Sequence, residues 1–178
     1  MGHPNQHHPH RSCDDPQTRI RAALVTATAL VTAATVTVGV GAAGTETSRK
    51  PTKKEIAALF DGWNAALRTG DADTVADRYA KDAVLLPTVS NKIRTDRAGI
   101  VDYFEHFLAN KPAGHKIRTV VDVLDSDSAI DTGVYAFTLT DPRTGEKRVV
   151  EARYTYAYEK RDGRWKIVNH HSSAMPES

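Results

Sequence analysis

The chain has 178 residues, with 40% apolar content and 24 basic residues against 22 acidic. That is enough for one domain of ordinary size plus a tail, and too apolar for a wholly disordered protein. The near balance of charge leaves no electrostatic footprint for nucleic acid, and the lone Cys13 excludes an intrachain disulfide.

Residues 1–21 are polar and hold His3, His7, His8 and His10. They read as a disordered leader rather than a metal-capturing tract. Residues 22–43 carry no charge, but they have only two leucines and five threonines, so the stretch is weakly hydrophobic. It is long enough to cross a bilayer. Arg19 and Arg21 precede it, and small residues end it at Val40-Gly41-Ala42-Ala43-Gly44. A basic flank, an apolar middle and a small-residue exit describe a secretory signal cleaved after Ala42 or Ala43. An uncleaved membrane anchor is the alternative. The expected organisation is a signal-bearing leader over 1–44, a linker over 45–51 and one domain over 52–177, exported to the cell envelope or beyond. The basic run Arg49-Lys50 with Lys53-Lys54 falls at the linker and reads as solvated.

The domain opens with a capping box, Thr52 with Glu55. Ile56, Leu59, Phe60, Trp63 and Leu67 follow at helical spacing, and Gly70 supplies a left-handed stop. Asp71 can cap a second helix that runs to Ala80 and is closed by Asp82. Residues 83–88 predict a short buried strand ending at Pro87, and 92–95 a second one after a turn at Ser90-Asn91. Thr95 or Asp96 caps a third helix to about Ala109, with Ile100, Tyr103, Phe104, Phe107 and Leu108 on one face and His106 off it. The remainder alternates as strands over 115–124, 129–140, 147–160 and 165–173. Asp141-Pro142-Arg143-Thr144-Gly145 makes a turn between the middle two.

Helices first and long strands after is an α+β order. Three N-terminal helices packed on a strongly curved antiparallel sheet would give an α+β cone with an open mouth, burying Trp63 and Phe60 against the concave face. Four signatures then stand in order: Ala66-Leu67 to Gly70-Asp71; Tyr154 to Tyr158; Arg161-Asp162-Gly163-Arg164-Trp165; and His170-His171-Ser172-Ser173 with Pro176. Over 52–177 the chain resembles the nuclear-transport-factor-2-like superfamily. Within that superfamily it is similar to the association (hub) domain of calcium/calmodulin-dependent protein kinase II and its stand-alone bacterial relatives, which are also grouped as SgcJ/EcaC-type and SnoaL-like. The resemblance implies a self-associating domain, a homodimer or larger, with a ligand pocket in the cone and no kinase activity of its own. It also implies two pocket arginines on the last two strands, where this chain has Tyr156 and Ser172. Arg94 and Arg153 are then the candidates for a replacement charge.

Adjacent strand residues face opposite ways, so His170 and His171 make a poor chelating pair, and neither metal nor cofactor is expected. A two-residue Asp162-Gly163 loop would set Tyr154 against His171; a three-residue Arg161-Asp162-Gly163 loop would set it against His170. The hub resemblance places positions 156 and 172 on one inner face, which selects the three-residue loop. Trp63, Tyr103, Tyr154, Tyr156, His170 and Ser172 are therefore expected in the pocket, with Tyr158 facing the same way. Arg153, Trp165 and His171 are expected outside as an interface, with Asn169 on the same side. Two functions follow: a binding domain for a small ligand, or a SnoaL-like isomerase, cyclase or dehydratase using His170 as base and Tyr154 as oxyanion donor. The second lacks a pocket carboxylate, and the face of Asp131 is open.

Overall fold

A computed structural model describes residues 49–176. The expected signal segment and most of the linker lie outside the described residues, as do the last two. Among the described residues no helix is long and apolar enough to cross a membrane.

The Thr52/Glu55 capping box forms and starts α1 (Lys53–Ala57), which leads through Ala58 into α2 (Leu59–Thr69). The expected single helix is thus broken once. Asp61 N–H bonds the Ala58 carbonyl, and the Ala57 carbonyl accepts instead from Lys116 Nζ at 2.6 Å. A strand lysine has taken over an acceptor that a continuous helix would use itself. Gly70 ends α2 at φ 74°. Asp71 caps α3, which covers only Ala72–Ala76. The expectation of a helix to Ala80 is corrected: β1 (Tyr79–Leu86) already starts at Tyr79, because Val75 and Tyr79 are each buried by packing that a strand satisfies as well as a helix. Residues 92–95 form no strand, only a bridge between Arg94 and Leu85. Asp96 caps α4 (Arg97–Leu108), and His106 is exposed on it.

Four long strands follow: β2 (Ala113–Val123), β3 (Ser128–Thr140), β4 (Lys147–Arg161) and β5 (Arg164–Ala174). The sheet order is β1-β5-β4-β3-β2, with β1 parallel to β5 and the other pairs antiparallel. This is the expected α+β cone, with one strand more than the meander. Its curvature has local causes. Ile117 bulges out of β2, and Gly133 sits where a Cβ would lie 1.9 Å from the Arg118 carbonyl oxygen. Asn64 on α2 fixes the helix to the sheet by exchanging two hydrogen bonds with the backbone of Gly114. Phe60 and Trp63 are buried against Tyr135, Phe137 and Tyr156.

The β4–β5 turn differs from the expected one. Asp162 and Gly163 both have positive φ, 54° and 73°, and Arg161 pairs with Arg164, so the loop has two residues. A bulge at Val168 then shifts the register by one, setting Tyr156 against His170 and Tyr154 against Ser172. Tyr154, Tyr156, Tyr158, His170 and Ser172 therefore face in, as expected, although by a bulge rather than a three-residue loop. The same bulge corrects Trp165. It precedes the shift, pairs with Lys160, and shares the concave face with Ile167 and Tyr158. There it is half-buried against the core, with Lys160 Nζ over its ring. Arg153 and His171 are exposed on the outer face.

Candidate functional site

The mouth of the cone lies between α4, the end of β1 and the sheet. An inner cavity of about 50 Å³ opens there. Its walls are aromatic and aliphatic: Trp63, Phe104, Phe107 and Phe137, with Leu85 and Leu139. Its polar edge is Thr88, Tyr135, His170 and Ser172. A wider groove of about 310 Å³ adjoins it, and the two share Val89, Tyr103 and Phe107. Tyr103 and Phe107 lie nearly parallel, with centroids 5.7 Å apart.

The polar edge is one end of a buried chain of hydrogen bonds. Trp63 Nε1–H donates to the Tyr79 hydroxyl at 3.1 Å. The Tyr79 oxygen lies 2.8 Å from His170 Nδ1. His170 Nε2 lies 3.4 Å from the Tyr135 hydroxyl, which donates to Ser172 Oγ at 2.6 Å. Ser172 Oγ in turn bonds Thr88 Oγ1. Indole nitrogen only donates, so Tyr79 is the acceptor there, and a second acceptance from Nδ1–H would leave the buried phenol hydrogen without a partner. Tyr79 accepts from Trp63 and gives its own hydrogen to Nδ1, so His170 carries its hydrogen on Nε2.

His170 is 4% exposed and stacks on Tyr156 with centroids 4.2 Å apart. Burial pushes its pKa down to about 3, with His171 adding to the effect. It is a neutral imidazole whose single lone pair is held by Tyr79. That removes it as a general base toward the cavity, contrary to the expected His170/Tyr154 pair. Tyr154 does not meet it. The Tyr154 hydroxyl donates to Asp131 Oδ1 at 3.0 Å and lies 3.2 Å from Thr119 Oγ1.

Asp131 is the carboxylate that the sequence left unplaced. It is fully buried, faces in, and pairs with Lys116 Nζ at 3.2 Å. Burial raises its pKa, while Lys116 and Tyr154 oppose the rise. It lines neither the cavity nor the groove. Of the six expected pocket residues, Trp63, Tyr103, His170 and Ser172 line the cavity, whereas Tyr154 and Tyr156 pack behind it. Tyr156 is wholly buried, and its hydroxyl has no partner among the described residues; Tyr158 is alike. Thr88, Tyr79 and Tyr135 are the residues that sequence reasoning missed. Tyr135 stood on an inward alternation and was readable; Tyr79 was hidden by the helical reading.

Of the two candidate replacement charges, Arg94 reaches the groove and Arg153 does not. Arg94 is 8% exposed and partly engaged, with Ser90 Oγ at 2.9 Å and Asp102 Oδ2 at 3.4 Å, while its Nε has no partner among the described residues. It also holds a cation–π contact to Tyr103, whose hydroxyl pKa burial pushes up to about 12. No group of His, Cys, Asp and Glu among the described residues is placed to hold a metal ion.

The cone is shared with proteins described as cystatin-like and nuclear-transport-factor-2-like. A Xanthomonas campestris protein carrying the association-domain name is 60% identical, with a TM-score of 0.70, over 72% of this chain and 91% of that one. The association domain of the Caenorhabditis elegans kinase aligns at 16% identity and TM-score 0.56, over 68% of this chain and 95% of that one. A Novosphingobium aromaticivorans protein named for scytalone dehydratase aligns at 14% identity and TM-score 0.62, over 69% and 83%. These last two likenesses are of fold alone. No curated protein matches the chain. The family model of the calcium/calmodulin dependent protein kinase II association domain matches residues 52–176, most of the chain, and the chain belongs to that family.

Proposed function

We propose that the chain is an exported, self-associating domain that binds a small, largely apolar ligand at the mouth of its cone, and that it has no kinase activity of its own. The binding part rests on one observation: an aromatic cavity with a single polar edge, whose histidine is locked by Tyr79 and cannot act as base. That favours binding over the isomerase-type alternative, which needs a free base beside the ligand. Self-association rests on family membership and on the open outer sheet face. Export rests on the uncharged stretch over 22–43.

A thermal-shift screen of small aromatic and aliphatic molecules tests the binding reading. Hits should raise Tm in the wild type and lose their effect in Ala152→Val, which fills the cavity wall. Equal stabilisation of both proteins would place the ligand elsewhere.

A further inference from the structure

The hydrogen-bond chain determines what the cavity offers a ligand. Trp63, Tyr79, neutral His170, Tyr135, Ser172 and Thr88 each bring one polar hydrogen. Five contacts join these six groups in a line. One hydrogen is therefore left over, whichever tautomer His170 adopts. If it stayed inside, at Tyr79, Tyr135 or Ser172, each less than a tenth exposed, it would be a buried donor without an acceptor, costing about 1–3 kcal/mol. Running every bond from Trp63 outward avoids that cost. Tyr79 gives to His170, His170 to Tyr135, Tyr135 to Ser172 and Ser172 to Thr88. The surplus hydrogen then sits on the Thr88 hydroxyl, which is half-buried at the cavity edge.

Resting on the ligand-binding reading above, we infer that Thr88 is a hydrogen-bond donor aimed at the ligand, and that the ligand is a neutral aromatic compound bearing a small acceptor, such as an aryl ketone or aldehyde. The acceptor oxygen takes the Thr88 hydrogen. The inner cavity, at about 50 Å³, has room for a small group and not for a whole ring system. The ring lies in the adjoining groove against Tyr103 and Phe107. A ligand with only donors leaves the surplus hydrogen unpaired, and a hydrocarbon does the same while expelling the water that could take it. A carboxylate is the competing ligand: Arg94 is shared among Asp102, Ser90 and Lys92 through its terminal nitrogens, but its Nε has no partner among the described residues, so a benzoate probe is included in the test.

The test uses the full-length protein and three probes of one shape: acetophenone, α-methylstyrene and benzoate. In α-methylstyrene a methylene replaces the carbonyl oxygen. Affinities are read by titration of the Trp63 indole N–H resonance, and the bound ketone by its carbonyl infrared stretch. Acetophenone should bind about fivefold tighter than α-methylstyrene, as one neutral hydrogen bond provides. Thr88→Val keeps the side-chain shape and removes the donor. It should weaken acetophenone by the same factor, leave α-methylstyrene unchanged, and return the carbonyl stretch to its position in apolar solvent. Equal binding of ketone and hydrocarbon to the wild type would overturn the donor assignment and leave the binding site standing. Benzoate as the tightest probe would overturn it in favour of an anion site at Arg94. Binding of none of the three would remove the inference together with the ligand-binding reading.

Discussion

Tyr79 and Tyr156 are both phenols buried beside His170, and they should respond oppositely to loss of the hydroxyl. The Tyr79 hydroxyl accepts from Trp63 and serves His170 Nδ1. Tyr79→Phe strands one donor and one acceptor in the core and should cost about 2–3 kcal/mol. The Tyr156 hydroxyl has no partner among the described residues. Tyr156→Phe removes a desolvated group and should leave stability unchanged or raise it by about 1 kcal/mol. Urea midpoints at constant m-value check both. His170 adds a pH signature. Its folded pKa, about 3, lies below the unfolded value near 6.5, so the unfolded chain binds the proton first. Its contribution is complete above pH 6.5 and is lost as pH falls through that value toward 3. Between pH 7 and 5, above most carboxylate titration, the wild type should lose stability with a slope steeper by up to one proton than His170→Gln. Parallel slopes would mean that His170 takes up its proton equally in the folded and the unfolded chain.

At the scale of elements, the curved sheet depends on places where strand pairing is interrupted. Gly133→Ala would drive a Cβ into the Arg118 carbonyl, which is backbone and cannot swing aside, with the Tyr154 hydroxyl close behind at 3.1 Å. It should cost at least about 2 kcal/mol and broaden the β2–β3 resonances, measurable by denaturation and by amide spectra. These interruptions also mark what the sequence could reveal. The capping box, the Gly70 stop, α4 and the long strands were legible because each has a local cause. The Val168 bulge was not. Nothing local distinguishes Val168 from its neighbours, and the turn alone would have turned His171 inward. The correct inner face came from resemblance, which carried Tyr156 and Ser172 together. Trp165 was misplaced for the same reason, since a residue before an unseen bulge keeps the opposite parity. Asp131 and Tyr79 needed the tertiary structure, because their partners Lys116 and His170 lie on neighbouring strands whose register and facing only the assembled sheet defines.

For the whole molecule, the outer sheet face and the cone should be separable. On the outer face, Val120 is 46% and Val149 64% exposed, and Arg153 and Glu151 stand on the same side of β4. Apolar positions flanked by both signs of charge suit a two-fold contact, in which each copy meets the other's complement. Trp165 does not belong to that surface, for it packs on the core side. Two variants should therefore part company. Val149→Asp with Arg153→Glu should shift sedimentation toward monomer and leave acetophenone affinity intact. Trp165→Ala should cost about 2 kcal/mol of stability and leave the assembly state intact at temperatures where the fold holds. If assembly is coupled to folding, the wild-type Tm will rise with protein concentration and that of the charge-reversed variant will not. A wild type that sediments as a monomer across that range would remove self-association while leaving the cavity and its donor untouched.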